Sequence, residues 1–175
     1  MPDEDIASMS PTDLGRAIAL NLEKTCTLGQ VSAQDRSLLT EAGIGIDQYH
    51  GEQILLAGFA CDFAITTLLR NSSVGKQVRD GYLEVWNDMG KHSAAGAAYL
   101  QLFFQRCQEY AKAAARMAPG DVVPPIGPSF SAFLASTHAG VQKLALTGGP
   151  DLFFSHFEIV AELLAQAQLI KRPGN

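Results

Sequence analysis

Apolar residues recur along this chain at steps of three and four, the spacing that lines up one face of an α-helix, and no segment alternates with period two as a half-buried strand would. SPTDLGRAIALNLEKTCTLG predicts a first helix, with Ser10 as N-cap, Pro11 in the first helical position, Asp13 in the first turn and Gly29 as its stop. SAQDRSLLTEAG repeats the logic: Ser32 and Asp35 resemble a capping box, and Gly43 ends the helix. A third helix is expected from about Asp47 to Arg70, ahead of the breaker Asn71-Ser72-Ser73. Val74, Val78, Gly81, Tyr82, Val85 and Met89 mark a fourth, closing at Gly90. Ser93 opens a fifth, alanine-rich helix that reaches Pro119-Gly120.

The segment PGDVVPPIGPS, 119–129, reads as a stiff non-helical connection because of its prolines. Two further helices follow, one marked by Phe130, Leu134, Val141 and Leu144, the other by Phe153, Phe157, Val160, Leu164 and Ala167, with Gly148-Gly149-Pro150 between them. The expected fold is all-α: a single-domain bundle of about six to seven helices over 1–175, built around a central apolar helix at about 47–70. Residues 1–9 are expected to be flexible and 171–175 to fray.

Composition narrows the function classes. A net charge of -5 argues against a general nucleic-acid binder, which needs a basic surface to release counterions. Arg70, Lys76, Arg79, Lys91, Arg106, Lys112 and Arg116 gather between 70 and 116, but Asp80, Glu84, Asp88 and Glu109 are interleaved, as on a solvated face. Cys26, Cys61 and Cys107 lack any C-x-x-C pairing, so neither a disulfide framework nor a zinc knuckle follows. The acidic start MPDEDIASMSPTD has no signal-like apolar core, and the expectation is a cytoplasmic chain. ILLAGFACDFAITTLL, 54–69, is shorter than the ~20 apolar residues a bilayer needs and carries Asp62, so no membrane association is expected.

That acid is the most informative single residue. On a helical wheel Glu52, Asp62, Thr66 and Arg70 share one narrow polar stripe, while Ala57, Ala60 and Ala64 form a ridge of small residues opposite, flanked by Leu56, Phe63, Ile65 and Leu68. Asp62 is expected either to be satisfied at the bundle edge by Thr66, water or a basic neighbour, or to overhang Gly58 as the rim of an apolar notch walled by Phe59 and Phe63. The second arrangement would receive a ligand amine or a partner's Arg or Lys.

Other constellations read as ordinary surface or core. Lys76, Asp80, Glu84, Asp88 and His92 follow at four-residue steps, yet they lie opposite Val78, Val85 and Met89, which predicts a solvated face rather than a metal site. His138 and His156 sit beside apolar residues as core-edge histidines, and Glu158 and Glu162 share a polar stripe with Ser155 and Gln166. No G-x-S-x-G, P-loop, G-x-G-x-x-G or H-E-x-x-H occurs. Adjacent phenylalanines at 103–104 and 153–154 point ~100° apart, which puts one of each pair outside a narrow core stripe.

The expected function is therefore non-catalytic: a helical binding or regulatory domain, acting as a homodimer or on a protein partner through exposed aromatics and the PPIGP loop, 124–128. The alternative is a small-molecule carrier or sensor whose pocket, formed by Gly58, Phe59, Asp62, Phe63 and Thr66, holds an apolar ligand with a cationic group. Neither a cofactor nor a metal is expected.

Overall fold

The computed structural model describes residues 6–25, 31–70, 72–116 and 125–170. They form seven α-helices and, among the described residues, no strand: α1 Pro11–Thr25, α2 Ala33–Glu41, α3 Ile46–Leu68, α4 Ser73–Lys91, α5 Ala94–Ala114, α6 Ile126–Phe133 and α7 Ala139–Gln166. None of these helices is long and apolar enough to cross a membrane.

Serine caps start four of the seven helices, α1, α2, α4 and α5. The Asp13 N–H donates to Ser10 Oγ at 3.2 Å, that of Asp35 to Ser32 Oγ at 3.1 Å, and that of Gly96 to Ser93 Oγ at 2.9 Å, each satisfying a donor the first turn leaves open. Ser72, read from sequence only as part of a breaker, caps α4 in the same way, accepting from Gly75 N–H at 3.0 Å. Gly43 ends α2 at φ +73°, with Ile44 N–H bonded to Leu39 O and Gly43 N–H to Thr40 O, the pairing a left-handed cap residue permits. Gly29, the expected stop of α1, lies outside the described residues, as do residues 1–5, 117–124 and 171–175. Ile6 is already buried.

Besides α5, which ends at Ala114 instead of reaching Pro119, three boundaries depart from the sequence expectation. First, α4 runs through Gly90 to Lys91 and caps at His92. Its buried face also drifts, taking in Gly75, Val78, Gly81, Tyr82 and Trp86 and leaving Met89 44% exposed. Second, α6 begins at Ile126 inside the segment expected to be non-helical. Pro128 sits in its first turn, where a missing N–H costs nothing, and Ile126 and Gly127 are buried, so Ile126 to Pro128 belong to a helix rather than to a free loop.

Third, Gly148-Gly149-Pro150 does not interrupt α7, which carries Pro150 in its interior. The break falls earlier, at Ala135 with φ 51°. Packing explains the continuity: a side chain on Gly149 would crowd Phe130 Cδ1 at 3.2 Å, so the bare backbone seats that ring. Pro150 offers no N–H to the Leu146 carbonyl, and that carbonyl lies against Gly127, where a Cβ would stand only 2.8 Å from it.

The chain divides into two compact units. One comprises Met1–Leu22, Ala60–Leu102 and Ser155–Asn175. Here α1 and α4 meet backbone to backbone: a Cβ on Gly15 would overlap the Val78 carbonyl, and one on Gly81 the Thr12 carbonyl. Only paired glycines allow that approach. Arg16 ties the same two helices, reaching Glu84 Oε2 at 2.7 Å. Its buried residues include Tyr82 and Trp86, whose rings lie 6.5 Å apart, and Ile18, Ala64, Ile65, Val160 and Leu164. Lys76, Asp80, Glu84, Asp88 and His92 are all exposed.

The other unit comprises Glu23–Phe59 and Phe103–Phe154. Its core is aromatic: Phe59 stacks on Tyr110 at 5.4 Å, Tyr110 meets Phe133 edge-on at 5.3 Å, and Phe59 lies 5.9 Å from Phe153. Within it the Glu52 carboxylate, 8% exposed, accepts two hydrogen bonds from Arg106, from Nε at 2.9 Å and from Nη2 at 2.7 Å. The guanidinium also covers the Phe133 ring at 3.8 Å. Hydrogen bonding to Glu52 raises the Arg106 pKa. Tyr110 Oη is buried and finds no hydrogen-bond partner among the described residues; burial first, then the Glu52 charge, pushes its phenol up. Burial pushes Tyr49 up to about 12.

Two outcomes follow. Arg106→Met strands a buried carboxylate and is expected to cost about 2–4 kcal/mol in chemical denaturation, whereas Glu52→Leu combined with Arg106→Met should return to within about 1 kcal/mol of the parent. A double variant as unstable as the single one would refute the pairing. At alkaline pH the unfolded chain gives up tyrosine protons near pH ~10 while folded Tyr49 and Tyr110 keep theirs, so stability must fall as pH rises above ~10. Phenolate absorbance should show these two tyrosines ionising only with unfolding. All four tyrosines titrating together in the folded chain would contradict this.

Candidate anion-binding cleft

The corner between α3 and α4 is made by four residues of chain. The Leu69 N–H closes the last turn of α3 on Ile65 O at 3.1 Å, and Arg70 then adopts a left-handed φ of 49°. A β-carbon makes that conformation costly, and glycine is the usual occupant of such a position. Here it is an arginine. Ser72 then starts α4 as its cap. Gly75 makes the tight turn possible, because a Cβ there would stand 2.9 Å from Leu69 Cβ and 3.1 Å from the Arg70 carbonyl.

The corner encloses an open cleft of about 270 Å³ lined by Thr66, Arg70, Ser72, Gly75, Lys76 and Arg79. Three of the six are cations, on a chain of net charge -5. Arg70 and Lys76 are exposed and have no ion-pair partner among the described residues. Ser72, Gly75 and Lys76 also put the start of a 19-residue helix on the cleft wall, where its dipole adds positive potential although the Gly75 N–H itself is taken up by Ser72 Oγ. The Thr66 hydroxyl donates back to the carbonyls of Asp62 at 2.9 Å and Phe63 at 3.1 Å, so its single proton is used within α3 and the positive character of the cleft comes from the three cations.

Asp62 lies one turn behind this wall. Its two carboxylate oxygens accept from Arg79, Oδ1 from Nε at 2.7 Å and Oδ2 from Nη2 at 3.0 Å. The acid side chain is 14% exposed and the arginine 46% exposed. Of the two arrangements expected for Asp62, the structure thus contains the basic neighbour, and Arg79 stands where a ligand amine was expected.

The five residues expected to form one pocket are not gathered there. Thr66 lines the cleft; Asp62 supports its wall through Arg79. Phe63 packs 6.3 Å from Phe157, Phe59 is 3% exposed in the aromatic core, and Gly58 is buried. Arg70 was assigned to Asp62's stripe and Lys76 to a solvated stripe, but their convergence was missed. The signal was present in R-N-S-S-V-G-K-Q-V-R, 70–79, where a serine cap flanked by cations closes a turn too short to separate them.

Among the described residues no group of His, Cys, Asp and Glu is arranged to hold a metal ion. No known family matches the chain, and no curated protein or solved structure matches it at a significant level.

Proposed function

We propose that the chain is a non-catalytic helical binding domain that takes up a phosphoryl group in the cleft at the α3–α4 corner. The observation that carries this reading is the convergence of Arg70, Lys76 and Arg79 on one cavity at the start of a helix. The three cations less Asp62 leave two net positive charges, which match a phosphate dianion better than a carboxylate. Both arginines offer forked donors and Lys76 a point charge, the division of labour that phosphate recognition uses elsewhere.

Calorimetric titration with inorganic phosphate at constant ionic strength tests it. The parent should bind with a Kd on the order of 1 mM, and Lys76→Glu should abolish the heat. Arg70→Gly should weaken binding while raising stability by about 0.5–1 kcal/mol, since it relieves the left-handed backbone and removes a cation at once. Phenyl phosphate tells a free ion from an esterified one: tighter binding than inorganic phosphate assigns the cleft to a monoester. No phosphate binding by the parent, or equal binding by Lys76→Glu, would end the proposal.

A second reading, homodimerisation, draws on one feature. Phe103 is buried, while its neighbour Phe104 is 40% exposed, as the paired-aromatic argument anticipated. Under this reading Phe104 packs on a second copy, and sedimentation should give a dimer for the parent and a monomer for Phe104→Asp. A monomeric parent would contradict it.

A further inference from the structure

We propose that Asp62 is a built-in competitor for the cleft: an internal carboxylate that holds Arg79 until a phosphoryl dianion takes it over. This rests on the phosphate reading above and assigns that site its regulation. Asp62 occupies the Nε–Nη2 edge of Arg79 with both carboxylate oxygens, which is the bidentate geometry an incoming phosphate would itself use. The second edge, Nη1–Nη2, is still open, but while Asp62 holds the first it also fixes where the second one points, so drawing Arg79 onto a phosphate competes with its hold on the acid.

The two partners differ in freedom. Asp62 sits on α3 between Cys61, 3% exposed, and the half-buried Phe63, on a short side chain that is itself 14% exposed. Arg79 is 46% exposed, lies on α4 with its side chain along the cleft, and swings on a long flexible stem. The arm therefore moves and the acid stays. Before the anion arrives, the uncompensated charges in the cleft are those of Arg70 and Lys76. A phosphate dianion entering between them meets Arg79 within the same lining and competes with Asp62 for it.

Asp62 thereby sets a threshold. A dianion outbids a carboxylate for the guanidinium, whereas a monoanion such as acetate does not, so the internal acid makes the cleft selective for the doubly charged ligand.

The experiment titrates inorganic phosphate, at pH about 8 where it is a dianion, into the parent, Asp62→Asn, Arg79→Met and the double variant, at fixed ionic strength. Denaturation midpoints establish that each is folded. Asp62→Asn should bind phosphate about three- to tenfold more tightly than the parent, as expected for relief of one nearby charge in screened water. In the Arg79→Met background the same change should yield less than half of that gain on a logarithmic scale, since there is no shared arm to release. Acetate should bind Asp62→Asn and not the parent.

Weaker or unchanged phosphate binding by Asp62→Asn would overturn the inference and make Asp62 a positioning residue for Arg79. A full gain surviving without Arg79 would also overturn it, reducing Asp62 to through-space repulsion. Either result leaves the cleft intact as an anion site. Absence of phosphate binding in all four proteins would instead remove the parent reading, and this inference with it.

Discussion

The Asp62–Arg79 ion pair fixes the electrostatics of the α3–α4 corner. An acid on a largely buried helix must find a cation, and the nearest one is supplied from the second turn of the next helix, across a connection of four residues. That short connection has consequences. It forces Arg70 into a left-handed conformation, places the Ser72 cap beside it, and requires Gly75 to let the two helix ends approach. The cations that line the cleft are thus brought together by the need to close a turn.

The contrast with Glu52 shows how burial divides two acids on one helix into different roles. Glu52 is almost wholly enclosed, paired with an arginine that is itself 15% exposed and pressed on an aromatic ring. Removing one partner there leaves a charge with no access to water, so that pair is bound up with folding. In the Asp62 pair the arginine is 46% exposed and free to turn, and what its departure leaves behind is a carboxylate that keeps 14% of its surface in water. Exchange therefore carries the cost of leaving that acid to water at the edge of the cleft, a cost the incoming dianion must exceed.

Much of the fold was legible in the sequence because caps and periodicity are local. Ser10, Ser32 and Ser93 each announced a helix start, and the apolar stripes placed α1, α3 and α4 to within a few residues. What escaped was tertiary. Gly148-Gly149-Pro150 has the composition of a breaker, yet the space beside Phe130 and Gly127 rewards a continuous bare backbone. Pro128 looked like a loop residue until its place in a first turn made its missing N–H harmless. The polar stripe of α3 was legible as a set of residues, but not the partners of its acids: Glu52 answers to Arg106 and Asp62 to Arg79, 54 and 17 residues away, which no helical wheel displays.

The most direct measurement is a backbone NMR titration with inorganic phosphate, following every assigned amide. The account predicts that shifts concentrate on Thr66, Arg70 and Ser72 to Lys76, with the Arg79 Nε–H resonance moving as it leaves Asp62. Shifts spread evenly over exposed lysines and arginines, or centred on any other helix end, would contradict it.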